Sequence, residues 1–152
     1  MSDETKRFDV IKRFDNVLSP VTKETEKICG EVYGYLKECE VPFDVPIKHT
    51  LHGGVYTRTA FIPRGTMGLG ALLKVPTTVI VSGNCYISNG KAVVQSVGYA
   101  VLEGTPNRRS IFYAVDNTYI SMIAKVKAKT VEEAEKEVTD EWEYLTTHKE
   151  NK

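Results

Sequence analysis

The chain is poor in the residues that most site chemistry requires. Its 152 residues include three cysteines and three histidines. Cys29, Cys39 and Cys85 show no CxxC spacing, and an odd count cannot complete a disulfide framework. Cys29 and Cys39 fall on one expected helix, which sets them roughly 15 Å apart and beyond bridging distance. Three reduced thiols acting as small apolar residues are expected. The histidines are His49, His52 and His148. A metal centre needs several imidazoles, thiolates or carboxylates to converge. His49 and His52 face opposite sides if they lie on a strand, and the central region adds only Asp44, Glu103 and Asp116. No metal and no other cofactor is therefore expected. No apolar run approaches the roughly 20 residues of a membrane span, and the charged N-terminus lacks a signal-peptide core. No membrane association is expected, and the expected location is the cytoplasm, the host's if the protein is viral.

Several motifs are missing as well. Gly65–Gly70 is glycine-rich but lacks the lysine and helix of a phosphate loop, and reads as a turn entering a strand. No Gly-x-Ser-x-Gly elbow occurs. Arg108-Arg109 is one basic loop pair, and Arg58 and Arg64 flank Phe61. That is thin beside the basic, aromatic-interleaved stripe of a nucleic-acid binder, so nucleic acid is not an expected partner.

What is present points to one small domain. Residues 4–18 carry Phe8, Ile11, Phe14 and Leu18 at helical spacing. Ser19-Pro20 reads as an N-cap and first-turn proline for a second helix running to about Glu40, with Val21, Ile28, Val32, Tyr35, Leu36 and Cys39 along one side. Gly30 and Gly34 either weaken that helix or permit close packing. From Phe43 onward, short β-rich runs alternate with turn signals: Val55–Ile62, Thr77–Val81, Lys91–Gln95, Tyr99–Leu102, Ser110–Ala114 and Thr118–Val126. Gly53-Gly54, Gly83-Asn84, Ser88-Asn89-Gly90 and Asp116-Asn117 are among the expected turns. Along the last run Ile120, Met122, Ala124 and Val126 share one face, and Tyr119, Ser121, Ile123 and Lys125 the other. Thr130 and Glu133 have capping-box spacing and open a last helix, followed by Trp142, Tyr144 and Leu145, which should dock on the barrel or on a second subunit. The expected organisation is a helical extension over 1–42, a β-barrel over 43–128 and a C-terminal helix and tail over 129–152. Charge follows this division. Residues 1–40 hold seven basic and nine acidic side chains, net −2; residues 41–125 eight and three, net +5; residues 126–152 five and eight, net −3. A basic β-region suits a small anionic ligand, or simply docks the acidic helices.

The stretch from Leu51 to Thr66, with Gly54-Val55-Tyr56-Thr57-Arg58 and Ile62-Pro63-Arg64-Gly65-Thr66, resembles the opening strands of small cupin-like proteins of tailed phages and prophages. Gly70-Ala71-Leu72 and Val81-Ser82-Gly83 extend the likeness, which covers roughly residues 47–138. It implies a mainly β, cupin-like antiparallel jelly-roll barrel, here with two N-terminal helices and one C-terminal helix, and a homodimer. It also implies a metal held by histidines, but the sequence departs there. Leu73–Val79 stands where the family carries its histidine cluster, Lys125 stands at or near the last ligand position, and no histidine occurs between Gly53 and Thr147.

The function this suggests is a non-metallic binding or assembly protein of accessory, phage-like character, more plausibly not an enzyme. A small anionic ligand in the barrel would meet Tyr56, Arg58, Leu73, Thr77, Tyr119, Ser121 and Lys125. Equally, the interior is filled by its own side chains and the working surface lies outside, as a homodimer interface. The alternatives are a cupin-type enzyme, either metal-dependent or an isomerase or epimerase using His49 or His52 with a tyrosine, and a counter-defence protein that sequesters a host nucleotide or factor.

Overall fold

The structure, a computed structural model, describes residues 17–38, 45–89 and 92–145. The chain is mainly β, with a mixed sheet and two helices. In order come β1 (Val17–Leu18), α1 (Lys23–Glu38), β2 (Ile47–His52), β3 (Val55–Ile62), β4 (Met67–Leu69), β5 (Thr77–Ser88), β6 (Val93–Gly104), β7 (Ile111–Ala114), β8 (Thr118–Lys125), α2 (Val131–Val138) and a 3₁₀ turn, Trp142–Tyr144.

β3 keeps its expected bounds, because the Gly53-Gly54 and Pro63–Thr66 turns bracket it. Gly53 and Gly54 both take positive φ, 58° and 77°, giving the two-residue turn whose twist matches the β2–β3 hairpin. Gly83-Asn84 is not a turn. It lies inside β5, and the two separate strands expected around Tyr99 are one strand, β6. Gly83 (φ 141°) and Gly98 (φ 84°) sit opposite each other, so both long strands bend there instead of ending. Before the bend, Thr78–Ser82 of β5 pair with β8; after it, Cys85–Ser88 pair with β7. One rolled sheet thus forms two halves. The larger runs β1-β6-β5-β8-β3-β2, and the smaller adds β4 and β7 beyond the bend. Two half-sheets sharing their longest strands is the arrangement of a jelly roll.

The inner faces enclose two apolar clusters. One gathers Leu18, Val79, Val81, Cys85, Ile87, Ala100 and Leu102. The other surrounds Tyr56 with Met122, Ala124 and Val126, and takes Ala134 and Val138 from α2. Each large aliphatic side chain buried this way contributes about 1.5–3 kcal/mol. Burial pushes the Cys85 thiol up to about 11, so it stays protonated as an apolar core group.

The N-terminal region departs from expectation. Residues 4–16 of the first expected helix lie outside the described residues, and its last two form β1, parallel to β6. Leu18 is buried in the core, and its carbonyl accepts from the Thr105 N–H and hydroxyl. A strand wins here because that edge of β6 offers unpaired backbone groups. α1 starts after Thr22, not at Pro20. The Thr25 N–H donates to Thr22 Oγ1 and the Thr22 N–H to Thr25 Oγ1, a reciprocal cap. Tyr35 is exposed, and Cys29 and Thr25 hold the buried side of the helix. Among the described residues a Cβ at Gly30 or Gly34 would meet nothing within 4 Å, so no close packing to them needs these glycines. Cys39 and His148 lie outside the described residues. α2 forms as expected, with Thr130 Oγ1 accepting from the Glu133 N–H. Trp142 is half-buried under Lys136, whose Nζ sits 4.4 Å from the ring centroid.

Arg109 fastens both ends of the chain to the barrel. Its Nε donates to Glu26 of α1 at 3.0 Å, and its two terminal nitrogens grip Glu141 at 2.9 and 2.8 Å. The Leu72 N–H also donates to Glu141. Burial alone would raise the Glu141 carboxyl, but the bonds from Arg109 and Leu72 outweigh it and hold the group below its ordinary value. A depressed carboxyl gives stability that is present above its unfolded-state value and is lost as pH falls through the folded value. Urea unfolding between pH 6 and pH 3 should therefore show the wild type losing stability faster than Glu141→Gln. Parallel curves for the two proteins would refute this role for the pair.

Candidate functional site

The expected ligand residues divide between the two faces of the sheet. Even-numbered positions of β3 point inward, which buries Tyr56 completely and turns Arg58 towards α2. Leu73 packs at the edge of the Tyr56 cluster. Thr77 is buried, and its Oγ1 accepts from Arg108 Nη2 at 2.7 Å. On β8 the odd positions point outward. Tyr119 is 54% exposed and rests against Phe61, with ring centroids 5.0 Å apart. Ser121 Oγ bonds Thr59 Oγ1 on that outer face, and Lys125 is exposed. Arg58 and Lys125 thus stand on opposite faces and meet no common anion; Tyr56, Arg58, Leu73 and Thr77 are the inward members.

Around Tyr56 the inward polar groups pair with one another. Arg58 faces Glu135 of α2 with Nη1 and Oε2 3.7 Å apart; Glu135 is buried and Arg58 is half-buried. His49 lies on the inner side of β2, with Nδ1 2.8 Å from the Tyr56 hydroxyl and the two rings stacked. The tautomer of His49 sets which of the two donates. Burial raises the Tyr56 hydroxyl above its ordinary value, against the pull of the Arg58 guanidinium beside it. His52 points to solvent from the other face.

These residues do not fit the divalent metal that a cupin-like barrel implies. The buried carboxylate, Glu135, already faces a guanidinium, and that positive charge would repel a cation. His49 gives one ring nitrogen to Tyr56. Among the described residues no three His, Cys, Asp or Glu side chains stand close enough to share an ion.

Arg108 escaped the sequence reading, which placed it with Arg109 in a solvated loop. It is 5% exposed, and its backbone bonds Leu73 in both directions. Burial lowers its guanidinium to about 10, so it remains charged at neutral pH. No local signal separates the two arginines, because their fates are set by side chains distant in sequence.

The outer face of the larger half-sheet has a different chemistry. Three rows cross it: Phe61, Tyr119, Ser82 and Tyr99; then Lys48, Thr59, Ser121, Ile80 and Val101; then Thr50, Thr57, Ile123, Thr78 and Glu103. Lys48 and Glu103 are the charged residues of these rows, Lys48 on the edge strand β2 and Glu103 on β6 beside β1. Tyr99 is 59% exposed and Val101 49%. A depression of ≈ 360 Å³ at the β2 edge is lined by Pro46, Ile47, Lys48, Thr59, Phe61 and Tyr119. Among the described residues no helix is long and apolar enough to cross a membrane.

No model of a known protein family matches the chain, and no curated protein matches it. Solved structures do. A cupin superfamily protein from Desulfitobacterium hafniense DCB-2 is similar at 13% identity, over 59% of this chain and 94% of that one, with a TM-score of 0.47. KdgF from Halomonas sp. is similar at 9% identity, over 59% of this chain and 87% of that one, with a TM-score of 0.47. Salicylate 1,2-dioxygenase from Pseudoaminobacter salicylatoxidans is similar at 12% identity, over 75% of this chain and 34% of that one, with a TM-score of 0.49. These are likenesses of fold.

Proposed function

We propose that the protein is a cupin-like binding and assembly module that works through the outer face of its larger half-sheet, and that this face pairs with a second copy of the chain. The observation that carries this reading is the charge-poor, aromatic outer face set against an interior occupied by its own side chains. Five strands at about 4.8 Å and three rows at about 7 Å give a face of roughly 500 Å² in projection, before side-chain relief is counted. That is smaller than the roughly 800 Å² per partner of a standard interface and lies at the size, about 300–600 Å², at which a monomer's largest patch is often functional.

The face is self-complementary about one axis. A two-fold axis parallel to the strands lays β6 of one copy over β2 of the other. Tyr99 then comes to the depression lined by Pro46, Phe61 and Tyr119, and Glu103 comes beside Lys48. An axis across the strands would bring like charges together and leave the depression without Tyr99. Tyrosine anchors filling pockets carry most of the energy of such contacts.

The acid–base enzyme reading rests on His49 and Tyr56, which do face inward together. They bond each other, and neither residue lines the depression at Phe61 or the small cavity between Val17 and Ser110. Substituting Tyr99→Glu or Tyr119→Glu should weaken self-association at least about 100-fold, since each puts an unpaired charge into the contact. Both residues are exposed in the single chain, so the melting temperature of the separated chain should hold. Analytical ultracentrifugation checks this, and a dimer that survives both substitutions would refute the assignment.

A further inference from the structure

The guanidinium of Arg108 is buried without a carboxylate. Its side chain carries five N–H groups. The structure gives it two acceptors, Thr77 Oγ1 at 2.7 Å from Nη2 and Ser110 Oγ at 3.3 Å from Nη1. Nε is buried and has no partner. The neighbouring acids are taken, since Glu26 and Glu141 both bind Arg109. Gly104 lies so close that a Cβ there would strike Nε, Cζ and Thr77 Oγ1, which fixes the plane of the group. Thr77 and Ser110 are hydroxyls, so each also has a proton to give. Among the described residues the cluster is therefore rich in donors and holds no negative charge. Removing an arginine from water with hydroxyls alone is costly, and an anion is the partner that relieves it.

We propose that Arg108, with Thr77 and Ser110, binds a compact monovalent anion inside the barrel, of the size and charge of chloride. The site lies on the inner side of the sheet and is separate from the outer face argued above. Arg108 and Thr77 are 5% and 7% exposed, which leaves no opening for an organic anion.

The test uses the full chain and chloride as the probe. Thermal unfolding is followed while sodium chloride replaces sodium gluconate at constant ionic strength. A site with a dissociation constant near 10 mM should raise the melting temperature by roughly 4–8 °C between about 1 mM and about 300 mM chloride. Arg108→Met should abolish the rise. Thr77→Val, which keeps the guanidinium, should weaken it, and it serves if the methionine variant does not fold. A wild-type curve that is flat in chloride overturns the proposal, as does a rise of the same size in either variant.

Discussion

Gly83→Ala should cost about 4 kcal/mol, whereas Gly98→Ala, directly across the ladder, should cost about 1–2 kcal/mol. Both positions take positive φ. They differ in surroundings. A Cβ at Gly83 would approach Thr118 Oγ1 and Cα and the Asn117 carbonyl, all at less than 3 Å. A Cβ at Gly98 would meet nothing within 4 Å. The second substitution therefore reports backbone strain alone, and the first adds a clash with the backbone that opens β8. For a chain of this length the expected losses correspond to roughly 8–16 °C and 2–8 °C in melting temperature. Thermal unfolding followed by circular dichroism checks this. Equal losses would mean that β5 does not turn its corner against Thr118, and the division into two half-sheets would need revision.

The second large effect concerns α2. Glu135→Ala should destabilise the protein by about 3 kcal/mol, because it removes the carboxylate that faces the Arg58 guanidinium beneath the helix. Water reaches little of either partner, with 15% of the Arg58 and 2% of the Glu135 side chain exposed. The double substitution Arg58→Met with Glu135→Leu should recover most of that loss, since no buried charge remains and the apolar cluster of Tyr56, Ala134 and Val138 extends over the gap. Urea titrations of the single and double variants form the cycle. Additive losses, with no coupling between the two positions, would show that α2 docks by its alanine and valine side chains alone.

Much of the β-architecture was legible in the sequence. The Gly53-Gly54 hairpin, the bounds of β3 and the Thr130 cap follow from local rules, and local geometry decides them. The corner at Gly83 was not legible. A glycine that bends a strand and a glycine that ends one look alike without the strand that packs against it. β1 was hidden because Val17 and Leu18 fit a helical stripe equally well, and only the edge of β6 makes them a strand.

For the candidate site, alternation divided β8 correctly into Ile120, Met122 and Ala124 against Tyr119, Ser121 and Lys125. Alternation cannot say which set turns inward. The apolar set does, and the tyrosine and lysine go outside. Arg108 was invisible for the same reason as Arg109: a basic pair in a glycine-proline loop reads as solvated until Thr77, Glu26 and Glu141 arrive from distant segments. Arg58 faces inward, and the group it meets is a helix carboxylate 77 positions further along the chain.

The outer sheet face is the centre of the account, and its occupant decides it. Light scattering on the freshly purified full chain, at concentrations from about 1 to about 100 μM, measures this most directly. Pairing through that face gives a molar mass of twice the 17.0 kDa chain across the upper part of that range. A mass of one chain at every concentration would contradict it.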